Sequence, residues 1–314
     1  WEEVLGHPLV AWEKGKRARL SGFGDKLLWS ERQAQARLAQ QIDALRAELE
    51  RTFAVAFDDE AHVLTFHASH DDALTALRAH TAALRERPQL HLDIRFTGSV
   101  DAIQALNEGR CIMAGFHTLR DAPPGSLTER TYKPLLKPGL HKLIGFARRS
   151  QGLMVPAGNP RQIGGLADLA RHGMRFVNRA LGTGTRVLLD DLLERQGLAS
   201  DRIGGYARSE PSHAAVAQAV LSGQADAGIG IEAAARARGL DFVPLAEEEY
   251  HLVCLKAALD EPPVAALRQL LQRDDWQAAM RQLPGYAPAN SGQVRAMSQV
   301  LPWWRVARAK PAKA

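Results

Sequence analysis

A glycine-rich turn between a predicted strand and a predicted helix is the strongest chemical signal in this sequence. Residues 178–186 read NRALGTGTR. Gly182 and Gly184 let backbone amides approach a ligand, and Thr183 and Thr185 add hydroxyl groups. The turn lacks the Gly-Lys-Ser/Thr of a Walker A loop and the G-x-G-x-x-G spacing of a dinucleotide site. We interpret it as an anion-binding turn, with an ordinary glycine-rich turn as the alternative.

Two serines occupy equivalent places earlier in the chain. Ser69 and Ser99 each follow a predicted strand and precede a predicted helix. A serine at a helix start is typically an N-cap, but two that face the glycine-rich turn predict a cage of neutral donors for a small oxyanion or polar ligand. His70 and His117 lie at the same strand ends and could donate to the anion. The candidate ligand residues are therefore Ser69, His70, Gly98, Ser99, His117, Asn178, Thr183, Gly184, Thr185 and Arg186.

No pattern in the sequence indicates catalysis or a metal site. It contains no nucleophile elbow, no spaced carboxylate pair and no Ser-His-Asp order typical of a hydrolase. Cys111 and Cys254 lie in apolar stretches and are predicted to be buried strand residues of a protein from a reducing compartment. We therefore expect neither an enzyme nor a bound metal. Four histidines fall in or near predicted loops without the spacing of a metal cluster, namely His67, His70, His117 and His213.

Strands and helices alternate through most of the chain, which predicts a parallel α/β sheet. Ligands of such sheets bind beyond the carboxyl ends of the strands, where the candidate residues lie. The alternation is interrupted by an extended segment at 142–156 and restarts after it. With a second crossing segment at 248–256, this predicts two lobes with separate sheets. The lobes are 58–149 together with 248–304, and 150–247.

The C-terminal part of the chain carries weaker signals. Residues 240–255 predict two short strands joined by a turn, and residues 262–301 predict mostly helix. Residues 305–314 are basic and rich in alanine, which predicts a disordered tail.

The N-terminal residues 1–25 predict the end of a helix, a hairpin with a basic tip, and the start of a new helix at Ser21. Such a ribbon beside a helix is the shape of the wing of a winged helix-turn-helix, and a solvated charged hairpin is the alternative. Trp1 begins in the middle of a helical pattern, as though another helix preceded it. The candidate DNA-binding residues are Lys14, Lys16, Arg17 and Arg19.

A long helix is predicted after the hairpin, in a linker of residues 26–57. Its apolar residues recur at steps of 4, 3, 4 and 4, close to the heptad seam of a coiled coil. We expect residues 26–53 to pair with a second copy in a homodimer. A helix packed on its own domain is the alternative. The stripe consists of Leu38, Ile42, Leu45, Leu49 and Phe53.

Composition narrows the class of protein. The chain has 314 residues, 46% hydrophobic and 24% charged, which excludes a disordered chain, a collagen and a disulfide scaffold. No apolar run approaches the roughly 20 residues that span a membrane, so no membrane association is expected. The formal net charge of +5 favours polyanionic partners only mildly.

Residues 61–304 resemble a known family, the periplasmic-binding-protein-like domain found in molybdate-responsive regulators and fused to molybdopterin biosynthesis proteins. The resemblance depends on FVNRALGTGTRVLLDDLL at 176–193, on 212–253 with ADAGIGIEAAA, and on TGSVDAIQALNEGRCIMAGFHTL at 97–119. Residues 1–57, with GHPLV and GKRARLSGFGDKLL, resemble the second half of a ModE- or LysR-type winged helix-turn-helix and its linker helix.

The resemblance implies a two-lobed type II periplasmic-binding-protein-like α/β fold, preceded by a partial winged helix and a long linker helix. It further implies a cytoplasmic bacterial one-component transcriptional regulator that binds DNA through a complete head. The implied effector is molybdate, tungstate or a molybdenum-cofactor-related molecule, with no resident cofactor. Two alternatives remain: the solute-binding protein of an ABC transporter for molybdate or tungstate, and an enzyme accessory in cofactor biosynthesis.

Overall fold

The N-terminal segment folds as a short helix, a small antiparallel ribbon and one long helix. The computed structural model describes residues 1–57, 61–84, 86–120 and 122–304. The first helix ends at Gly6, whose φ of 67° lies in the left-handed region that favours glycine. Ser21 caps the long helix by accepting a hydrogen bond from the Gly24 amide at 2.9 Å. The elements are α1 (Glu2–Leu5), β1 (Val10–Ala11), β2 (Arg19–Leu20) and α2 (Gly22–Phe57).

These elements confirm the predicted ribbon and the predicted long helix. The ribbon pairs Val10 with Leu20 and Ala11 with Arg19, which leaves Lys14, Lys16 and Arg17 at its closed end. Its assignment to a winged helix-turn-helix remains a prediction.

The body alternates strands and helices, as the sequence predicts. Parallel pairing joins β3 to β4 and to β5 in the first half, and β7 to β8 and to β9 in the second. These strands are β3 (His62–Ala68), β4 (Leu90–Phe96), β5 (Met113–Leu119), β6 (His141–Val155), β7 (Phe176–Arg179), β8 (Ser209–Glu210), β9 (Ala227–Ile231), β10 (Asp241–Leu255), β11 (Tyr286–Pro288) and β12 (Val294–Arg295).

The helices of the body follow the strands and cover both faces of the sheet. Several short 3-10 turns complete the chain between them. The helices are α3 (Asp72–Ala83), α4 (Ser99–Asn107), α5 (Leu127–Tyr132), α6 (Gly184–Gln196), α7 (His213–Leu221), α8 (Glu232–Arg236), α9 (Pro262–Gln272), α10 (Asp274–Arg281) and α11 (Met297–Val300).

Two long strands, β6 and β10, join the halves of this two-lobed α/β fold. They pair antiparallel from His141 opposite Leu255 to Val155 opposite Asp241. One edge of the pair binds β5 and the other binds β9, so the hydrogen-bonded order is β4-β3-β5-β10-β6-β9-β7-β8. The expectation of two separate sheets is therefore wrong. Each crossing strand is 15 residues long, which is enough to carry the ladder of both halves.

The C-terminal third differs from the sequence prediction in two places. The segment predicted as two strands with a turn is one strand, β10, whose register shifts between Pro244 and Ala246. Proline lacks an amide donor, and the irregularity there lets the strand continue past it. Residues 262–301 contain α9 and α10 as expected, but β11 and β12 then pair with β6. The predicted tail, 305–314, lies outside the described residues.

The hydrophobic core also runs through both halves. One cluster packs Leu64, Phe66 and Trp276 of the first half and continues to Val216 and Ile231 of the second. Each fully buried side chain of this size contributes about 1.5–3 kcal/mol relative to an exposed one. The shared core fixes how the strand ends of the two halves meet.

The long helix α2 uses two faces differently. Ala36 and Ala47 are buried, and the Arg37 guanidinium donates to the Glu210 carboxylate at 2.7 and 2.8 Å. Through this face the helix packs on its own domain, which was the alternative to pairing with a second copy. The predicted apolar stripe lies exposed on the other: Leu38 49%, Ile42 54%, Leu45 63%, Leu49 60% and Phe53 60%. Within the described part of the chain, α2 and the other helices are too short or too polar to cross a membrane.

Candidate ligand-binding cleft

The carboxyl ends of the first three parallel strands bring three predicted side chains together. Ser69 follows β3, Ser99 begins α4, and His117 lies within β5. All three are buried, and the hydroxyl oxygens of Ser69 and Ser99 are 3.1 Å apart. Either hydroxyl can donate to the other, so one proton of the pair is left for another acceptor.

The glycine-rich turn of the second half closes over these residues. A Cβ atom on Gly184 would lie 3.0 Å from the Ser99 hydroxyl oxygen and 3.1 Å from His117 Nδ1. A Cβ on Gly98 would lie only 2.7 Å from the Gly182 carbonyl oxygen. Glycine at 98 and 184 therefore permits a backbone approach across the cleft that any larger residue would hinder.

The two threonines of the turn have different roles. The Thr183 hydroxyl donates to the Ala180 carbonyl at 2.7 Å and accepts from the Arg186 amide at 3.3 Å, so it caps α6. Thr185 Oγ1 accepts from Gln151 Nε2 at 2.9 Å and keeps its own proton for another acceptor. Thr185 is thus the threonine with a donor to offer a ligand.

Asn178 and Arg186 are engaged within their own half of the molecule. Asn178 accepts from the Arg179 amide at 2.9 Å and donates to the Tyr206 carbonyl at 3.3 Å. Arg186 donates to Asp190 at 3.0 Å and its guanidinium carbon lies 4.2 Å from the centre of the Tyr206 ring. An arginine in the first turn of a helix more often points to solvent, but Arg186 is buried, and Asp190 neutralises its charge.

A buried cluster of charged side chains lies beneath the cleft, and the sequence patterns did not indicate it. Arg149 on β6 donates both to Asp71 and to Glu248, and all three side chains are at most 1% exposed. Asp71 also caps α3 and accepts from the Tyr286 hydroxyl at 2.7 Å. Burial opposes the charge of Arg149, but the two carboxylates overcome it and hold the pKa of Arg149 well above its usual value. The cluster connects both crossing strands to the first helix of the body.

The histidines of the cleft are neutral; His117 and His213 are buried and His70 is half-buried. Burial, and then the charge of Arg179, lowers the pKa of His70 to about 4 and that of His213 well below its usual value. Burial and Arg149 do the same to the pKa of His117, whose ring stacks on Tyr250 at 3.8 Å between centres. Ring nitrogens of His70, His117 and His213 have no hydrogen-bond partner among the described residues. They are free for a ligand.

The histidines lie in a loop or near the end of an element, as the sequence predicts. His70 is in a loop, His67 and His117 lie within the last residues of strands β3 and β5, and His213 is the first residue of α7.

The cysteines are buried, as predicted, and burial raises the pKa of the Cys111 thiol to about 11 and that of Cys254 to about 12. Over the described ranges, no group of three or more His, Cys, Asp or Glu side chains is placed to hold a metal ion.

Arg179 is the residue of the cleft that sequence reasoning overlooked, although it stands inside the quoted FVNR motif. It ends β7, is 1% exposed, and donates from Nη1 to the Glu210 carbonyl oxygen at 3.1 Å. Successive side chains of a strand point to opposite faces of the sheet, so Arg179 faces the side opposite to Asn178. This alternation is the sequence signal that could have identified Arg179.

A sequence profile of the PBP superfamily domain matches residues 81–272. The chain belongs to the PBP superfamily. The fold of this PBP-superfamily chain is shared with a putative phosphate ABC transporter substrate-binding protein from Clostridium perfringens (TM-score 0.54, 12% identity, 73% of this chain and 100% of that one). It is shared equally with the sulfate-binding protein SubI of Mycobacterium tuberculosis (TM-score 0.53, 17% identity, 73% of this chain and 87% of that one). Both of these proteins are named as binding proteins, and their likeness to this chain is one of fold.

Two curated relatives are similar in sequence to the PBP-superfamily chain. The uncharacterized protein YvgK of Bacillus subtilis is 36% identical over 200 residues, which are 64% of this chain and 64% of that protein. An uncharacterized protein encoded in the ferredoxin 2Fe-2S gene 5′ region of Clostridium pasteurianum is 32% identical over 109 residues, or 34% of this chain and 96% of that protein. The chain thus spans just under two thirds of the length of YvgK.

The ribbon before the PBP domain presents its four basic residues to solvent. Lys14, Lys16, Arg17 and Arg19 are all exposed. Glu13 pairs with Lys16 and, at 3.2 Å, with Arg19, so their charges are partly compensated.

Proposed function

We propose that this protein is a cytoplasmic one-component transcriptional regulator whose PBP domain binds a small oxyanion in the cleft. The proposed lobes are residues 58–149 with 248–304, and residues 150–247. The proposed effector is molybdate, tungstate or a molybdenum-cofactor-related molecule. The observation that best supports the proposal is that buried hydrogen-bond donors from the two halves lie close together. Ser69, Ser99 and His117 of the first half face the turn of the second half that contains Gly184 and Thr185.

The donor set suits a tetrahedral oxyanion. Hydroxyl groups and the amides at the start of α4 and α6 stabilise negative charge without requiring a full counter-charge for every oxygen. Two proteins of the same fold are named for phosphate and for sulfate, which are tetrahedral anions like molybdate. This supports the class of ligand rather than its identity.

Closure of the lobes is the step that a ligand would control. A ligand shifts an equilibrium between open and closed lobes only by its difference in affinity for the two states. Donors on both lobes provide that difference, because an anion in contact with Ser99 and Thr185 together requires the closed arrangement.

Calorimetry tests the ligand. Molybdate, tungstate, sulfate and phosphate are titrated into the parent and into Ser99→Ala with Thr185→Ala. Each neutral hydrogen bond contributes about 0.5–1.5 kcal/mol and more with a charged ligand, so the double variant should bind the best anion about tenfold to a few hundredfold more weakly. Ser30→Ala with Thr52→Ala, on exposed turns of α2, is the matched control. Equal affinity of parent and cleft variant would remove these residues from the site.

The exposed stripe of α2 supports a homodimer through residues 26–53. Four of its side chains, Leu38, Ile42, Leu45 and Leu49, are each about half exposed or more, and each contributes about 1.5–3 kcal/mol when fully buried. Leu45→Lys should convert a dimer to a monomer in light scattering, whereas Glu50→Lys, off the stripe, should not. A monomeric parent would favour the solute-binding protein of an ABC transporter instead.

The basic ribbon supports contact with DNA phosphates through Lys14, Lys16, Arg17 and Arg19. In the full-length protein, Lys16→Ala with Arg17→Ala should weaken binding to all sequences alike. The slope of log affinity against log salt should fall by about 1.8, at about 0.9 per lost phosphate contact. Arg130→Ala with Lys133→Ala, at exposed positions in and just after α5, is the control. An unchanged slope would show that the ribbon does not touch the DNA backbone.

A further inference from the structure

Arg179 carries a buried charge that no side chain of the described residues neutralises. Its side chain is 1% exposed, its Nη1 donates to a backbone carbonyl, and its Nε has no partner. It takes part in no salt bridge among the described residues. Buried charges in proteins are ordinarily paired, because an unpaired one costs several kcal/mol of stability.

The carboxylate of Glu210, on the neighbouring strand β8, is bound by another residue. Arg179 reaches the backbone oxygen of Glu210, whereas the Glu210 carboxylate is bound by Arg37 of α2 at 2.7 and 2.8 Å. Burial, and then the charge of Arg149, lowers the pKa of Arg179 to about 9, which leaves it protonated at neutral pH. The positive charge is therefore present and available.

Neutral imidazoles from both halves lie within the electrostatic influence of this charge. His70 follows β3 in the first half, and His213 begins α7 in the second. Arg179 is the strongest charge acting on both rings, and Nδ1 of each has no partner among the described residues. A neutral imidazole can donate a hydrogen bond to an anion without adding a second charge.

We propose that Arg179 is the counter-charge of the ligand and binds an ionised oxygen of a tetrahedral anionic group held between His70 and His213. This inference rests on the proposed function and adds to it. The cleft would then hold an anion by one guanidinium as well as by neutral donors. The anionic group belongs either to a free oxyanion or to the end of a larger molecule, since both offer the same oxygens.

Calorimetry of Arg179→Gln and Arg179→Lys tests the inference. The probes are molybdate, sulfate, inorganic phosphate and a phosphate monoester. Loss of one partner of a buried, hydrogen-bonded charge pair costs about 2–5 kcal/mol, so Arg179→Gln should bind at least about 30-fold more weakly. Arg179→Lys keeps the charge without the planar fork and should fall between parent and Gln variant. Arg208→Gln, exposed and bonded to Gln224, is the matched control.

The outcomes separate this inference from the proposed function. If the parent binds an anion and Arg179→Gln binds it within threefold, Arg179 is not the counter-charge and the proposed function stands. A parent that binds none of the probes overturns both. A response to the monoester alone assigns the anionic group to a larger molecule, and a response to the inorganic anions assigns it to a free oxyanion. If Arg179→Gln fails to fold by circular dichroism, Arg179→Met takes its place, and affinity within threefold of the parent would then overturn the inference.

Discussion

Two buried arginines of the same cleft have opposite surroundings. Arg149 contacts two carboxylates, Asp71 and Glu248, whereas Arg179 contacts one backbone carbonyl. The two positive charges also repel each other. Burial lowers the pKa of Arg179 most, and the charge of Arg149 lowers it further. Arg149 is thus part of the framework that joins the strands, and Arg179 is a charge with no carboxylate partner among the described residues.

If Arg179 binds the ligand as proposed, the contrast separates charges that hold the fold together from a charge that serves binding. The paired cluster stabilises the packing of β6, β10 and α3 against one another, but its hydrogen-bonding groups are already used within the protein and are not available to a ligand. An unpaired buried cation destabilises the empty protein and is stabilised when an anion arrives. Three substitutions and titrations test this contrast, in order of expected effect.

Arg149→Met should cause the largest loss of stability. The change leaves the Asp71 and Glu248 carboxylates buried without their cation, which costs about 3–5 kcal/mol in the free energy of unfolding. Urea unfolding measures it. Arg148→Met, at the neighbouring and half-buried position of β6, is the control. Equal midpoints for the two variants would show that Arg149 does not hold the cluster together.

Acid should destabilise the protein through His70. Its pKa is about 4 in the folded chain and 6.5 in the unfolded one. As pH falls from 6.5 towards 4, the unfolded chain takes up the proton first. The stabilisation of the folded state that depends on a neutral His70 is therefore present above pH 6.5 and is lost as the pH falls to 4. Relative to His70→Asn, the parent should lose about 3 kcal/mol between pH 7 and 4, at 1.36 kcal/mol per pKa unit.

Urea titrations at several pH values measure this difference. Exposed His172→Asn is the control and should follow the parent. Parallel pH profiles for the parent and His70→Asn would contradict burial of a neutral imidazole at position 70.

Arg179→Met should have the smallest effect on stability. Replacing an unpaired buried charge by an apolar side chain of similar volume is neutral or stabilising, so the free energy of unfolding should stay equal or rise by up to about 2 kcal/mol. The pKa of His70, followed by NMR, should rise because the positive charge that lowers it most is gone. Marked destabilisation, or an unmoved His70 pKa, would place Arg179 with Arg149 as a framework residue.

Much of the local structure could be predicted from the sequence. The ribbon, α2, the alternating strands and helices, and the glycine-rich turn before α6 follow from periodicity, turn residues and capping residues close together in the chain. The candidate residues Ser69, Gly98, Ser99, His117 and Gly184 were also found this way, because strand ends of a parallel sheet meet at one edge. Their role in binding remains a prediction.

Other features depended on contacts that local patterns do not encode. β10 continues past Pro244 because β6 pairs along its whole length, although the local sequence favours a turn. For the same reason, the sheets of the two halves are continuous. Thr183, Asn178 and Arg186 are of the right type for an anion site, but neighbouring groups within their own half already engage their side chains.

Local sequence patterns predict most of the strands, helices and turns and the strand ends where a ligand could bind, but not the continuity of β10 or the strands β11 and β12. Which charges are paired depends on the tertiary structure. Asp71 meets Tyr286 across 215 residues and Arg149 meets Glu248 across 99. Glu210, one strand away from Arg179, turns instead to Arg37 on α2. Local propensity acts over a few residues, whereas charge pairing in a buried cleft depends on which distant segments the fold brings within hydrogen-bond distance.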